Sequence, residues 1–137
     1  MDANDYFLPS RPTEAAKPPA EEAFGAGSGY DEGGIDLNEQ LIRNKAATFF
    51  MRVHSAAMAG AGIHPGDVVI VDRALEAAPG HIVIAIMNGE LLIRRYEKSG
   101  GKARLVPASG LAEIPLEGSG EKLIWGVVTY VIHHVGA

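Results

Sequence analysis

Residues 80–98 read GHIVIAIMNGELLIRRYEK, and this stretch decides the fold class. Two runs rich in apolar and β-branched residues flank Asn88-Gly89. Asn-Gly is favoured in type I′ hairpin turns because both central residues of that turn need a positive φ. The stretch therefore predicts a β-hairpin. A continuous apolar run, VVIVD at 68–72, follows a Pro-Gly turn and predicts a strand that is buried on both faces.

Strand patterns continue on both sides of the hairpin. ATFFMRVH (47–54), ARLVPAS (103–109) and LIWGVVTYVIHHV (123–135) each predict a strand, and Gly126 predicts a bulge in the last of them. The fold class is therefore mainly β, with five to seven mostly antiparallel strands in one compact or barrel-like domain.

One helix is predicted before these strands. Residues 36–44 read DLNEQLIRN, and Asp36 with Glu39 three residues later has the spacing of a capping box. Three apolar side chains of this helix are expected to face inward: Leu37, Leu41 and Ile42.

The composition excludes several classes of site. The chain has 137 residues and no cysteine, so disulfides, thiolate chemistry and Cys-ligated zinc are excluded. Its five histidines lack a metal-ligand spacing and are read as surface or edge residues, so no metal or other cofactor is expected. No apolar run is long enough to span a membrane, and residues 1–12 lack the features of a signal peptide. The sequence predicts a cytoplasmic protein.

The charge is concentrated at one end of the chain. Residues 1–35 are rich in Pro, Gly and Ala and hold seven acidic residues against two basic ones, whereas acids and bases balance in the remainder. This segment, called the arm below, shows no periodicity and is predicted to be flexible. Residues 36–137 form the predicted domain. No basic stripe is present, so direct nucleic-acid binding is not expected.

The domain resembles the UmuD/LexA family of self-cleaving Ser-Lys proteases, which have a LexA/signal-peptidase-like β-fold. The resemblance rests on segments in the order and spacing of the family: IDLN with QLI (35–42), ATFF (47–50) leading to Met58, GI with PGDVVIVD (62–72), IVIA with NGE (82–90) and WGVV (125–128). A short arm in place of a helix-turn-helix domain favours UmuD over LexA and phage repressors.

The resemblance also locates the family's catalytic dyad, and both of its residues are substituted here. In the family, a serine directly before the methionine of the second segment is the nucleophile, and a lysine on the second strand of the hairpin is its base. Ala57 and Arg94 occupy those positions. Alanine has no nucleophile, and arginine stays protonated, so the resemblance implies an inactive protease. An inward-pointing Arg94 would need acceptors, either backbone carbonyls or a carboxylate.

Two alternatives to an inactive protease with a naturally lost dyad remain open from the sequence. Ser55, two residues before the nucleophile position, is a candidate substitute nucleophile, and a turn or cap role is the competing interpretation. Deliberate alteration that traps an uncut form would also account for the double substitution.

The resemblance further implies partners and a cleavage site. Members of this family are homodimeric SOS accessory proteins that partner a Y-family DNA polymerase and a RecA filament. Their arm lies across the cleft and is cut at an Ala-Gly or Cys-Gly bond. Ala26-Gly27 is the nearest such bond here, and Phe24-Gly25 is the second candidate. In the final strand, three residues are expected on one face as a dimer contact: Val128, Tyr130 and Ile132.

Overall fold

A computed structural model describes residues 7–8, 34–118 and 120–136 of the chain. Those residues form one α-helix, α1 (Leu37–Leu41), three 3₁₀ turns and eight strands. The strands are β1 (Phe7–Leu8), β2 (Thr48–Arg52), β3 (Val68–Asp72), β4 (Ile82–Met87), β5 (Glu90–Ser99), β6 (Lys102–Val106), β7 (Ile114–Pro115) and β8 (Ile124–Ile132).

All eight strands belong to one antiparallel sheet, in the order β1-β2-β3-β8-β4-β5-β6-β7. The predicted mainly β fold is confirmed, and so is the hairpin: β4 and β5 pair from Ile82 opposite Arg95 to Met87 opposite Glu90. Asn88 and Gly89 have φ values of 53° and 81°, as a type I′ turn requires. β8 crosses from the end of the chain into the middle of the sheet, between β3 and β4.

β8 carries two irregularities, and one of them corrects the predicted dimer face. Val128 pairs with Val71, but Tyr130 pairs with Ile70, so Thr129 is an extra residue in β8. Neighbouring residues of β3 point to opposite faces, and their partners Val128 and Tyr130 therefore do so too. The expectation that Val128 shares one face with Tyr130 and Ile132 is wrong.

The second irregularity of β8 lies where the sequence predicted it. Ile84 pairs with Gly126 and Ala85 with Ile124, which leaves Trp125 as the extra residue. A Cβ on Gly126 would lie 2.6 Å from Val71 Cγ1, so only glycine allows this close approach of β8 to β3.

The helix begins at its predicted cap. Asp36 Oδ1 accepts the N–H groups of Asn38, at 3.0 Å, and Glu39, at 3.5 Å. Ile42 is buried, but Leu37 is 60% exposed, so the inward direction predicted for Leu37 is wrong. The helix is little longer than one turn, and the buried Ile42 follows it as the C-cap residue.

Among its described residues, the arm contains one strand, which the sequence analysis did not predict. Phe7 lies opposite Met51 and Leu8 opposite Phe50, which adds β1 to the outer edge of β2. Residues 9–33, which contain both candidate cleavage bonds, lie outside the described part of the chain.

Two apolar clusters form the core, one on each face of the β4–β5 hairpin. The first contains Ile84 and Ile93, which pair across the hairpin, together with Met51 and Met58. The second contains Val83, Ala85 and Tyr96 with residues of β6 and β8. None of the described helices is long and apolar enough to cross a bilayer.

Candidate functional site

The loop between β2 and β3 carries Ala57, the residue that the sequence analysis predicts at the position of the family nucleophile. Ala57 is 1% exposed, and the side chain of Met58 beside it is fully buried in the first cluster. Two hydrogen bonds fix the loop to residue 108: the Ala108 N–H donates to the Ala57 carbonyl, and the Gly60 N–H donates to the Ala108 carbonyl, both at 2.8 Å. The backbone from Ala57 to Gly60 is therefore held against Ala108.

Arg94 lies in β5, opposite Val83, and only 9% of its surface is exposed. Its Nη1 donates to the Ile93 carbonyl at 2.8 Å, so one acceptor is a backbone carbonyl, as expected. Its buried Nε has no hydrogen-bond partner among the residues that the structure describes, and none of their carboxylates lies within 4.0 Å of the guanidinium. Burial lowers the pKa of Arg94, because the charged form is desolvated without a counter-charge.

The sheet brings the segments that carry these two positions next to each other. Val106 at the end of β6 pairs with Arg95, and Ala108, which fixes the Ala57 loop, follows two residues later. The loop is therefore tied to the chain that runs beside Arg94. This arrangement offers neither a hydroxyl at position 57 nor a neutral amine at position 94.

Ser55 is part of the same loop and is half-buried. Its Oγ accepts the Ala57 N–H at 2.9 Å, which is the geometry of a serine that closes a local turn. An activated serine would in addition need an adjacent base.

A buried carboxylate was missed by the sequence analysis. Asp67 is 2% exposed, its Oδ2 accepts the His64 N–H at 2.9 Å, and its Oδ1 lies 2.6 Å from His133 Nδ1. The rings of His64 and His133 meet edge to face, with centroids 5.9 Å apart. Burial acts to raise the pKa of Asp67, but the His64 and His133 hydrogen bonds and charges outweigh it, so the pKa lies below its ordinary value.

The side chains of His64, Asp67 and His133 do not form a metal centre. Among residues 34–118 and 120–136, no group of three or more His, Asp or Glu is arranged to hold a metal ion. The only sequence signal of the cluster is the HPGD turn at 64–67, where an aspartate three residues after a histidine can accept a backbone N–H.

Comparison with known proteins agrees with the geometry. The Peptidase S24-like family model matches residues 18–129. The chain is 40% identical over 104 residues to Protein ImpA of Escherichia coli, covering 76% of this chain and 71% of ImpA. It is 33% identical over 108 residues to Protein MucA of Escherichia coli, covering 77% and 74% of the two chains. It is also 31% identical over 105 residues to the LexA repressor of Anaeromyxobacter sp., covering 74% of this chain and 46% of the repressor.

Proposed function

The chain belongs to the Peptidase S24-like family as a UmuD-like member, and we propose that it acts there as a non-catalytic docking subunit in SOS-induced, error-prone DNA synthesis. One observation carries the proposal: Ala57 and Arg94, which the resemblance assigns to the two positions of the family dyad, are both buried.

The physical argument concerns proton transfer. Peptide-bond cleavage by this family needs a hydroxyl whose proton passes to a neutral amine. Alanine supplies no hydroxyl. Desolvation lowers the pKa of Arg94, but a guanidinium starts so far above neutrality that it remains a cation, and it has no proton-accepting lone pair. Neither step of the reaction can therefore begin at the family position.

The proposal keeps the protease domain as a docking surface. In this proposal residues 36–137 are the docking domain and residues 1–35 the arm, which stays attached. The partners are a second copy of the chain, a Y-family DNA polymerase and a RecA filament, and the site of action is the cytoplasm. These assignments are supported by the UmuD-like family membership and by the one continuous sheet.

A second candidate function is a working autoprotease with Ser55 as a displaced nucleophile. The observation in its favour is that the Ser55 hydroxyl lies 2.9 Å from the Ala57 N–H, beside the family position. That protease would cut its own arm at Ala26-Gly27 or Phe24-Gly25.

Intact mass after incubation separates the two functions. The parent chain and Ser55→Ala are held at alkaline pH, with and without activated RecA filament. The docking proposal expects both chains to stay whole in every sample. A product beginning at Gly27 or Gly25 that forms in the parent and not in Ser55→Ala would replace it with the autoprotease.

A further inference from the structure

Thr48, Asp72 and Val127 lie side by side on one face of the sheet. Thr48 pairs with Asp72 across β2 and β3, and Asp72 pairs with Val127 across β3 and β8. Directly opposite residues of an antiparallel pair point to the same face, so the three side chains form a row. All three are buried, and all three line a pocket of about 310 Å³. We call this row the floor of the pocket.

The polar atoms of the floor are left with hydrogen-bond acceptors. Asp72 Oδ2 accepts an N–H of the Asn44 side-chain amide at 2.7 Å, and Oδ1 accepts the Ala74 N–H at 2.8 Å. The Thr48 hydroxyl donates its proton to the backbone carbonyl of Asn44 at 2.7 Å. Both donors to Asp72 are neutral, and no Lys, Arg or His nitrogen of residues 34–118 and 120–136 lies within 4.0 Å of its carboxylate. The floor therefore offers lone pairs and one negative charge without a counter-charge.

The walls of the pocket are mostly apolar. Leu41 at the end of α1, Leu75 in the loop after β3 and Tyr130 of β8 line it. Arg43 and His81 also line the pocket, and both are exposed. His81 Nδ1 accepts a backbone N–H at 3.0 Å, so the ring is uncharged in this contact, and solvent screens the charge of Arg43. Such a pocket suits an apolar stem that ends in hydrogen-bond donors.

We propose that this pocket binds a lysine side chain of a partner protein. A lysine ammonium has three N–H donors and no acceptor, so it complements a floor that offers acceptors and a negative charge. The aliphatic stem of the lysine packs along the apolar walls. The volume lies at the lower end of the range for ligand pockets, about 300–1,000 Å³, which suits one side chain better than a cofactor.

The surface beside the pocket favours a protein as the source of the amine. Ile132 follows Tyr130 by two residues in β8, shares its face and is 45% exposed. Together with Leu75, which is 42% exposed, it gives the pocket an apolar rim that a protein surface can cover and a free amine cannot. The described lining residues belong neither to the Ala57 loop nor to β5. The site therefore goes beyond the proposed function and does not depend on whether the chain cuts itself.

Two peptides test the recognition of the ammonium. The probes are capped Gly-Gly-Lys-Gly-Gly and the same peptide with norleucine, which keeps the stem and lacks the ammonium. Each is titrated into the full chain labelled with ¹⁵N and followed by NMR. We expect the lysine peptide to bind with a Kd of about 1 mM and the norleucine peptide about tenfold more weakly, since hydrogen bonds to a charged group are lost. The signals of the Asn44 side-chain amide and of the Ala74 N–H, which both donate to Asp72, should shift with the lysine peptide.

Matched variants of the protein locate the contact. Asp72→Asn removes the charge and keeps the shape of the side chain, and it should abolish the preference for lysine over norleucine. Glu76→Gln removes an exposed carboxylate from the loop that carries Leu75, and it should leave the preference unchanged. Leu75→Ala shortens an apolar wall and should weaken both peptides by the same factor, about threefold. Because Leu75 is an exposed loop residue, this variant should keep the fold and tests the site independently of Asp72→Asn.

The proposal is overturned if the lysine peptide does not bind the parent or binds no more tightly than the norleucine peptide. It is also overturned if the preference survives Asp72→Asn or is lost equally in Glu76→Gln. n-Butylamine is the probe for a free amine, and binding as tight as that of the lysine peptide would contradict docking of a protein. Signals of Asn44 and Ala74 that move on dilution of the parent alone, and not with the lysine peptide, would show that a second copy of the chain fills the pocket instead.

Discussion

Replacing Asp67 by Asn removes one buried negative charge and leaves the shape of the side chain intact. The carboxylate accepts the His64 N–H at 2.9 Å and contacts His133 Nδ1 at 2.6 Å, across 66 residues of sequence. An amide oxygen can still accept the His64 N–H. The amide nitrogen, however, is a donor and cannot accept the His133 N–H.

The magnitude follows from these contacts. Hydrogen bonds to a charged group contribute about 1.5–3 kcal/mol each, and one such bond is lost while a second loses its charge. His133 is more than half exposed, so its share is reduced by solvent screening. We expect Asp67→Asn to lower the free energy of unfolding by about 2 kcal/mol at neutral pH, a drop in Tm of about 6–10 °C for a chain of this length.

The sign of the pH dependence is fixed by the lowered pKa of Asp67. A carboxyl whose folded-state pKa lies below its unfolded value, about 4, stabilises the fold fully above that unfolded value. The contribution is lost as the pH falls toward the folded-state pKa, because the unfolded chain takes up the proton first. The difference in stability between the parent and Asp67→Asn should therefore shrink as the pH falls below about 4.

Urea unfolding of the two chains from pH 3 to pH 8 measures this difference. His134→Ala is the matched control, since His134 is exposed and follows the contacting histidine, and it should stay within about 0.5 kcal/mol of the parent. An Asp67→Asn chain as stable as the parent at pH 7, or a difference that grows as the pH falls from about 4 to 3, would refute the assigned role of the carboxylate.

Further perturbations address the cleft and the assembly. Arg94→Met should raise the free energy of unfolding by about 1 kcal/mol, because a buried cation without a counter-charge is replaced by an apolar side chain. Arg95→Met is the control and should change this free energy little. If urea unfolding shows that Arg94→Met instead lowers the free energy of unfolding by more than about 1 kcal/mol, Arg94 has an ionic partner. Gly60→Ala should lower the free energy of unfolding by about 1–3 kcal/mol, measured by thermal unfolding, because the new Cβ would lie 2.7 Å from the Ala108 carbonyl oxygen. Gly110→Ala is the control, since a Cβ there meets nothing within 4 Å. An equal loss of stability in both variants would contradict the account. Sedimentation should show a dimer at tens of micromolar, and a monomer would contradict the proposed assembly.

Local chemistry was enough to predict the centre of the sheet. Asn88-Gly89 fixes the hairpin because its turn type depends on two adjacent residues, and residues 68–71 are all apolar because both faces of β3 are covered. Asp36 caps α1 for an equally local reason. Each of these features is caused by residues that lie within a few positions of one another in the sequence.

The features that were missed depend on distant partners. Thr129 becomes an extra residue only because of how β8 pairs with β3, and this reverses the face of Val128. Asp67 and His133 meet because β8 returns beside β3, which no spacing in the sequence reveals. Likewise, Phe7–Leu8 forms a strand because β2 offers it an edge.

For the candidate site, likewise, the sequence predicts residue positions but not their contacts in the folded chain. The assignment of Ala57 and Arg94 to the dyad positions rests on the resemblance, since both follow short motifs at fixed spacing, and it stays a prediction. It could not show that Arg94 donates to the Ile93 carbonyl next to it, because that contact depends on how the sheet buries the side chain.

The most direct test of the central claim restores the dyad. The parent, Ala57→Ser, Arg94→Lys and the double variant are followed by intact mass through a time course at alkaline pH. Each single variant should stay whole, because a serine beside a guanidinium has no base and a lysine without a serine has no nucleophile. The double variant should cut its arm near Gly27 or Gly25, faster as the pH rises through the pKa of the new lysine, a strongly non-additive result. Cleavage of the parent would contradict the account.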